Sequence, residues 1–169
     1  LTLAVVTLIG VGWTSPDGTV EAREFILKSE DGKDRAILST TASGSPYLAF
    51  LDGQESQRAA LGLDANGASS FASIDAEGNA RVILTETGLQ VCDKGGKTRA
   101  SVHQMGFTLS DPRGKKRAGL VVSASGDAPS LGLHDGEERT RTLLALDGDG
   151  VPHFGFLDAD GKTTWSASK

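Results

Sequence analysis

The chain has 169 residues and a single cysteine, Cys92, so no disulfide can form within it. One Tyr, two Trp and six Phe are its only aromatics. The Phe stand at core-type positions, which argues against a carbohydrate-binding face. Three histidines, His103, His134 and His153, share no i, i+2 or i, i+4 spacing, so no local zinc cluster is encoded. No Gly-x-Ser-x-Gly elbow, phosphate loop or dinucleotide fingerprint is present. Net charge is −5 and the basic residues are evenly spread, which excludes the basic stripe of a nucleic-acid binder. Proline is scarce, at 5 residues, whereas glycine reaches 22. Glycine without proline or biased runs indicates repeated turns and not disorder.

What the chain does have is one phrase repeated seven times: Asp-x-x-Gly-x-x-Arg-Ala-x-Leu, preceded by apolar residues. The Asp slot falls at Ser29, Asp52, Asp75, Asp93, Asp111, Asp135 and Asp158. Three places on stand Gly32, Gly78, Gly96, Gly114 and Gly161, with Glu55 and Glu138 as exceptions. Six places on stand Arg35, Arg58, Arg81, Arg99, Arg117 and Arg141, with Thr164 in the last copy. A fixed period means one supersecondary unit stacked on itself.

Apolar residues recur four and two places before the Asp slots, as in Leu48 and Phe50 or Phe107 and Leu109, the third unit keeping Phe71 but having Ser73. Small or apolar residues recur seven and nine places after it, as in Ala59 and Leu61. Both alternations have the period of a half-buried strand. Each unit therefore reads as strand, Asp-x-x-Gly turn, strand, and a second turn ending in Gly. The expected fold class is all-β: seven tandem two-strand repeats forming a curled antiparallel meander, as a sandwich or barrel. A β-solenoid is the alternative. Phe25, Leu48, Phe107, Leu131 and Phe154 are expected to be buried together. A type I turn with one Gly bulge pairs minus two with plus six, an Arg, and leaves the plus-nine Leu on the other face. Either both faces are partly covered, or the turns are not simple hairpins.

The first thirteen residues are an uncharged, largely apolar run ending at Trp13, before the Ser15-Pro16-Asp17-Gly18 break. Three readings stand: the end of a transmembrane helix, the remainder of a signal peptide, or a buried first strand. The first is favoured, giving an anchor over 1–14 and a β domain over 15–169. Leu3, Val5, Val6, Leu8, Ile9 and Trp13 are then the lipid-facing candidates, Trp13 being an interfacial aromatic.

From Val20-Glu-Ala-Arg-Glu-Phe-Ile-Leu27 onward the chain resembles bacterial membrane-anchored repeat proteins with tandem Leu-Asp-Ala-Asp-Gly-Lys-x-Arg-Ala-x-Leu units. Phe156-Leu-Asp-Ala-Asp-Gly161 is the closest copy. The resemblance implies a single-pass bacterial membrane protein and brings no catalytic residues with it.

The remaining candidates are weighed against structural roles. Six Arg at one position would suit an anion ladder, but acidic residues beside them favour a mixed surface stripe. Asp147-Gly-Asp149-Gly150 and Asp158-Ala-Asp160-Gly161 begin like calcium loops, yet the later ligands are misplaced. Cys92 stands where other units carry Leu or Ile, as a small buried hydrophobe. Leu51, Ile74, Ile83, Leu143 and Leu157 occupy minus-one or plus-eight positions, where a free sheet would be polar. They are the candidate partner-binding residues. The expected function is a non-enzymatic accessory protein without cofactors. Through its N-terminus it meets membrane lipid, and its periplasmic or extracellular β domain binds or braces a larger membrane complex, respiratory or photosynthetic among the options, or other copies of itself. A module for carbohydrate or anions is the alternative.

Overall fold

The structure, a computed structural model, describes residues 21–122 and 128–168. The proposed anchor residues Leu3, Val5, Val6, Leu8, Ile9 and Trp13 lie outside the described residues. Fourteen strands follow chain order in one antiparallel meander that does not close. They are β1 (Phe25–Lys28), β2 (Asp34–Thr40), β3 (Pro46–Leu51), β4 (Gln57–Leu63), β5 (Ser69–Ile74), β6 (Ala80–Thr85) and β7 (Gly88–Cys92). Then come β8 (Thr98–His103), β9 (Gly106–Ser110), β10 (Lys116–Val122), β11 (Pro129–His134), β12 (Thr140–Leu146), β13 (Pro152–Leu157) and β14 (Thr163–Ser168). The seven two-strand repeats are thus hairpins. The antiparallel order excludes the solenoid, and the open order excludes the barrel. Contacts divide the chain into two units, one ending at Gly78 with β1 to β5, the other starting at Asn79 with β6 to β14.

The repeated phrase folds as a hairpin with two irregularities. At Asp52 the carbonyl accepts the N–H of Glu55, and the N–H donates to the Ser56 carbonyl, both at 3.0 Å. Its Oδ1 accepts the N–H groups of Gln54 and Ser56 at 2.8 and 3.0 Å. The same paired bonds recur at Asp93, Asp111, Asp135 and Asp158. Asp is needed because its short side chain bonds the backbone two and four residues on. Gly32, Gly78, Gly96, Gly114 and Gly161 then take φ between +75° and +86°, the left-handed conformation that closes the turn.

The second irregularity falls at the Arg. Phe50 faces Ala59 and Leu51 faces Gln57, so Arg58 is passed over. Arg35, Arg99, Arg117, Arg141 and Thr164 are passed over in the same way. This extra bulge corrects the expected register: minus two pairs with plus seven, not with plus six. Minus four then meets plus nine, and both strands of each hairpin turn their large apolar residues to one face.

In the first unit that face carries Phe25, Leu38, Leu48, Leu61 and Phe71 in one cross-strand row. Leu27, Ala36, Phe50, Ala59 and Ser73 form the row beside it. In the second unit one row runs Leu84, Leu89, Val102, Phe107, Leu120, Leu131, Leu144, Phe154 and Ala167. The intervening residues point the other way and include many small ones, Ala49, Ala60 and Ala72 beside Ile26 and Ile37 in the first unit, and Gly119, Gly132 and Gly155 beside Ile83 and Leu143 in the second.

Burial does not follow the sequence expectation. Phe25 in the first unit and Phe107 and Leu131 in the second were expected to be buried, but they are 40, 36 and 41% exposed. All the strands belong to one sheet, so among the described residues no second layer covers them. Among the described residues the buried apolar side chains are Ala49 and Cys92, both on the side opposite the large-residue rows.

Candidate functional site: an uncovered apolar face

Large apolar side chains on the row face are open to solvent along both units. Leu38, Phe50 and Leu61 are 48–52% exposed in the first. In the second, Leu84, Val102, Leu120, Leu144 and Phe156 belong to the same class. Neither row carries a charged residue in either unit. Exposed apolar patches beyond a few hundred Å² mark interaction sites. At the end of the second unit the face is aromatic: Phe154, Phe156 and Trp165 lie with ring centroids 5.3–5.7 Å apart.

The five candidates from sequence, Leu51, Ile74, Ile83, Leu143 and Leu157, are all half-buried. They occupy the opposite, small-residue side. Leu143 pairs with Gly132 and Gly155, and Ile83 with Gln90. The larger apolar surface is formed by residues expected to be core, such as Phe107 and Leu131, together with the plus-nine residues such as Leu61 and Leu120. The signal that could have found it is the Arg bulge, which sets the register and which no strand periodicity contains.

The Arg row is consumed internally. Arg58 Nε donates to Asp52 Oδ2 at 2.7 Å, and its Nη1 reaches the Asp75 carbonyl of the next repeat. Arg35 reaches the Asp52 carbonyl, and Arg117 the Asp135 carbonyl. Arg81, Arg99 and Arg141 donate through Nε to the carbonyls of Cys92, Ser110 and Leu157 at 2.8–3.0 Å. Each Arg therefore ties its own hairpin to the one after it, leaving less of the guanidinium for a dissolved anion.

The clamp shows in the carboxylates. Burial would raise the Asp135 pKa, but N–H groups of Glu137 and Arg139 and the Arg139 guanidinium hold it down to about 2. Asp111 is held well below the usual carboxylate range by the same kind of bonds, from Lys115, Arg117 and Arg113, against a desolvation that would raise it. Asp52 and Asp93 are lowered chiefly by their own turn N–H groups.

The two exceptions to Gly have a function of their own. Glu55 and Glu138 take φ of 62° and 64°. Glu55 Oε1 accepts the N–H of Asp34 at 3.0 Å. Glu138 Oε1 accepts that of Lys116, and Oε2 binds Lys115 Nζ, each at 3.0 Å. Asp34 and Lys116 both stand five places after their Asp slots, next to the bulge. These glutamates staple a hairpin to the one before it, an assignment the sequence pattern did not yield.

The calcium-like stretches are turns. Asp147 and Asp158 point Oδ1 at the N–H groups of Asp149 and Val151, and of Asp160 and Lys162. Among the described residues no group of three or more His, Cys, Asp or Glu could hold a metal ion. His153 Nε2 lies 3.0 Å from Asp147 Oδ2. Cys92 is buried, with its sulfur 4.0 Å from Thr98 Oγ1. A shallow hollow of about 310 Å³ opens between Pro46, Tyr47, Leu61, Gly62, Leu63 and Ser69, with an almost wholly apolar lining. It continues the apolar face and contains no catalytic constellation. No protein-family model matches the chain, and no curated protein matches it.

Proposed function

We propose that this chain is a non-enzymatic structural or accessory protein whose β domain works by presenting an apolar sheet face to a protein partner. Residues 1–14 anchor it in a bacterial membrane, with the β domain outside the cytoplasm. The partner is a subunit of a larger membrane complex or another copy. The carrying observation is the row of half-exposed Leu, Val and Phe on one face. Leu120 alone is 52% exposed. Each such residue leaves about half of its ~1.5–3 kcal/mol burial energy unrealised until something covers it.

The test is co-purification of the full chain from native membranes, wild type against Leu120→Lys with Leu144→Lys. The associated proteins should be lost from the double variant while its circular dichroism stays that of a β-sheet. An unaltered set of associated proteins would place the contact elsewhere. A second arm deletes residues 1–13. The expected product is a folded β domain released from the membrane; unfolding would make that segment part of the fold instead of an anchor.

A further inference from the structure

Resting on the reading above, we infer that the partner of the apolar face in the β6–β14 unit is a second copy of this chain, packed face to face.

The relief of the face fits itself. Across β7 to β12 the row beside Leu120 and Leu131 alternates large and small (Val91, Ala100, Leu109, Ala118, Leu133, Thr142), while Val82 before it and Phe156 and Trp165 after it are large, as is the Leu120 row up to Phe154. Strands are spaced about 4.8 Å apart, so in that stretch of the row a ridge recurs about every 9.6 Å with a groove between. A second copy displaced by one strand seats its ridges in those grooves, as the inner faces of two sheets do at about 10 Å separation. A flat lipid surface would gain nothing from this alternation.

Area agrees. Nine strands at about 4.8 Å, each presenting about 17 Å of length, give a face of about 700 Å² per copy. Two copies would bury about 1,400 Å², inside the range of stable specific interfaces.

Charge agrees as well. The rows are uncharged. At the turn edge the Asp111 and Asp135 carboxylates are paired with Arg117, Arg139 and Arg141, so apposed edges repel little. The net charge of −5 opposes docking on an anionic membrane surface. The sandwich expected from sequence would then be built between two chains.

The experiment is cross-linking of the full chain in native membranes with a short bis-maleimide, on a Cys92→Ser background. Single cysteines are placed at Leu120→Cys and Ala118→Cys on the apolar face, and at Val121→Cys on the other. Covalent homodimer several-fold more abundant from the first two sites than from Val121→Cys supports the proposal. Equal yields from all three, or no homodimer, overturn it. Products joining Leu120→Cys to a different protein also overturn the second copy as partner, yet leave the partner-binding function standing. If no product forms and Leu120→Lys with Leu144→Lys keeps every association, both fail.

Discussion

Neighbouring residues on the two faces of this sheet exchange the usual roles of large and small. Leu61 is 52% exposed, and Leu120 and Leu131 are 52 and 41% exposed. Gly119 and Gly132, directly beside two of these, are buried. A Cβ added at Gly119 would lie 2.8 Å from Lys116 Cε, and one at Gly132 would lie 3.2 Å from His134 Nε2. The small-residue side is covered by its own neighbours lying flat across it. The large-residue side has no such cover. In a single-layer sheet, burial is set by what lies over a residue, and hydrophobicity alone does not decide it.

The sharpest way to break this contrast is to compare Gly62 with Leu61. A Cβ at Gly62 would meet the Pro46 carbonyl at 2.9 Å and Tyr47 Cβ at 3.0 Å, neither of them a flexible end. Gly62→Val should cost about 2–3 kcal/mol of overpacking. Leu61→Ser on the open face should cost under about 1 kcal/mol. Urea denaturation of the two variants measures the difference, and the reverse order would mean that the apolar face is the covered one.

Leu131→Ala extends the comparison to association. A buried Leu would lose about 2–5 kcal/mol, but in dilute protein the half-exposed Leu131 should lose about 1–2 kcal/mol. The loss should grow as protein concentration rises, because covering the face is linked to folding by mass action. A concentration series of thermal melts checks this.

Acid should act on the turn edge and leave the apolar rows unaffected. Asp135 falls from 3.8 to about 2 on folding, and Asp52, Asp93 and Asp147 are also lowered. Lowered carboxylates contribute stability that is complete above their unfolded value and is lost as pH falls through the folded one. Melting temperature should therefore hold above about pH 5 and drop between about pH 4 and pH 2. Asp135→Asn should flatten part of that drop.

The smallest expected effect is at Glu55. Glu55→Gly relieves a left-handed φ of 62° but removes the bond to Asp34. The two changes oppose each other, leaving stability within about 1 kcal/mol of wild type by urea denaturation.

Much of the fold was legible because the repeat writes turns and strands into fixed positions. Asp at the turn start, Gly three residues on and period-two flanks point to the two strands of each of the seven units. Register was not legible. A single bulge put Arg58 opposite Phe50, and only the second bulge brings Leu61 opposite Leu48. That shift by one residue determines which face is apolar. It is why Leu51 and Leu157 read from sequence as a partner face while Phe107 and Leu131 read as core. Glu55 and Glu138 read as lapses of the pattern because their partners lie in the preceding hairpin, beyond any local motif.

The bulge at each Arg also bears on how such a sheet avoids sliding. Rows of like residues at a two-residue period would accept a neighbour displaced by two residues almost as well as the correct one. Such degeneracy invites slipped pairings during folding. In this chain a displaced strand would carry Arg58 or Arg117 away from both its Asp and the carbonyl it holds in the next hairpin. The Asp–Arg pair thus works as a detent: it makes one alignment of a nearly uniform sheet cheaper than its closest imitations.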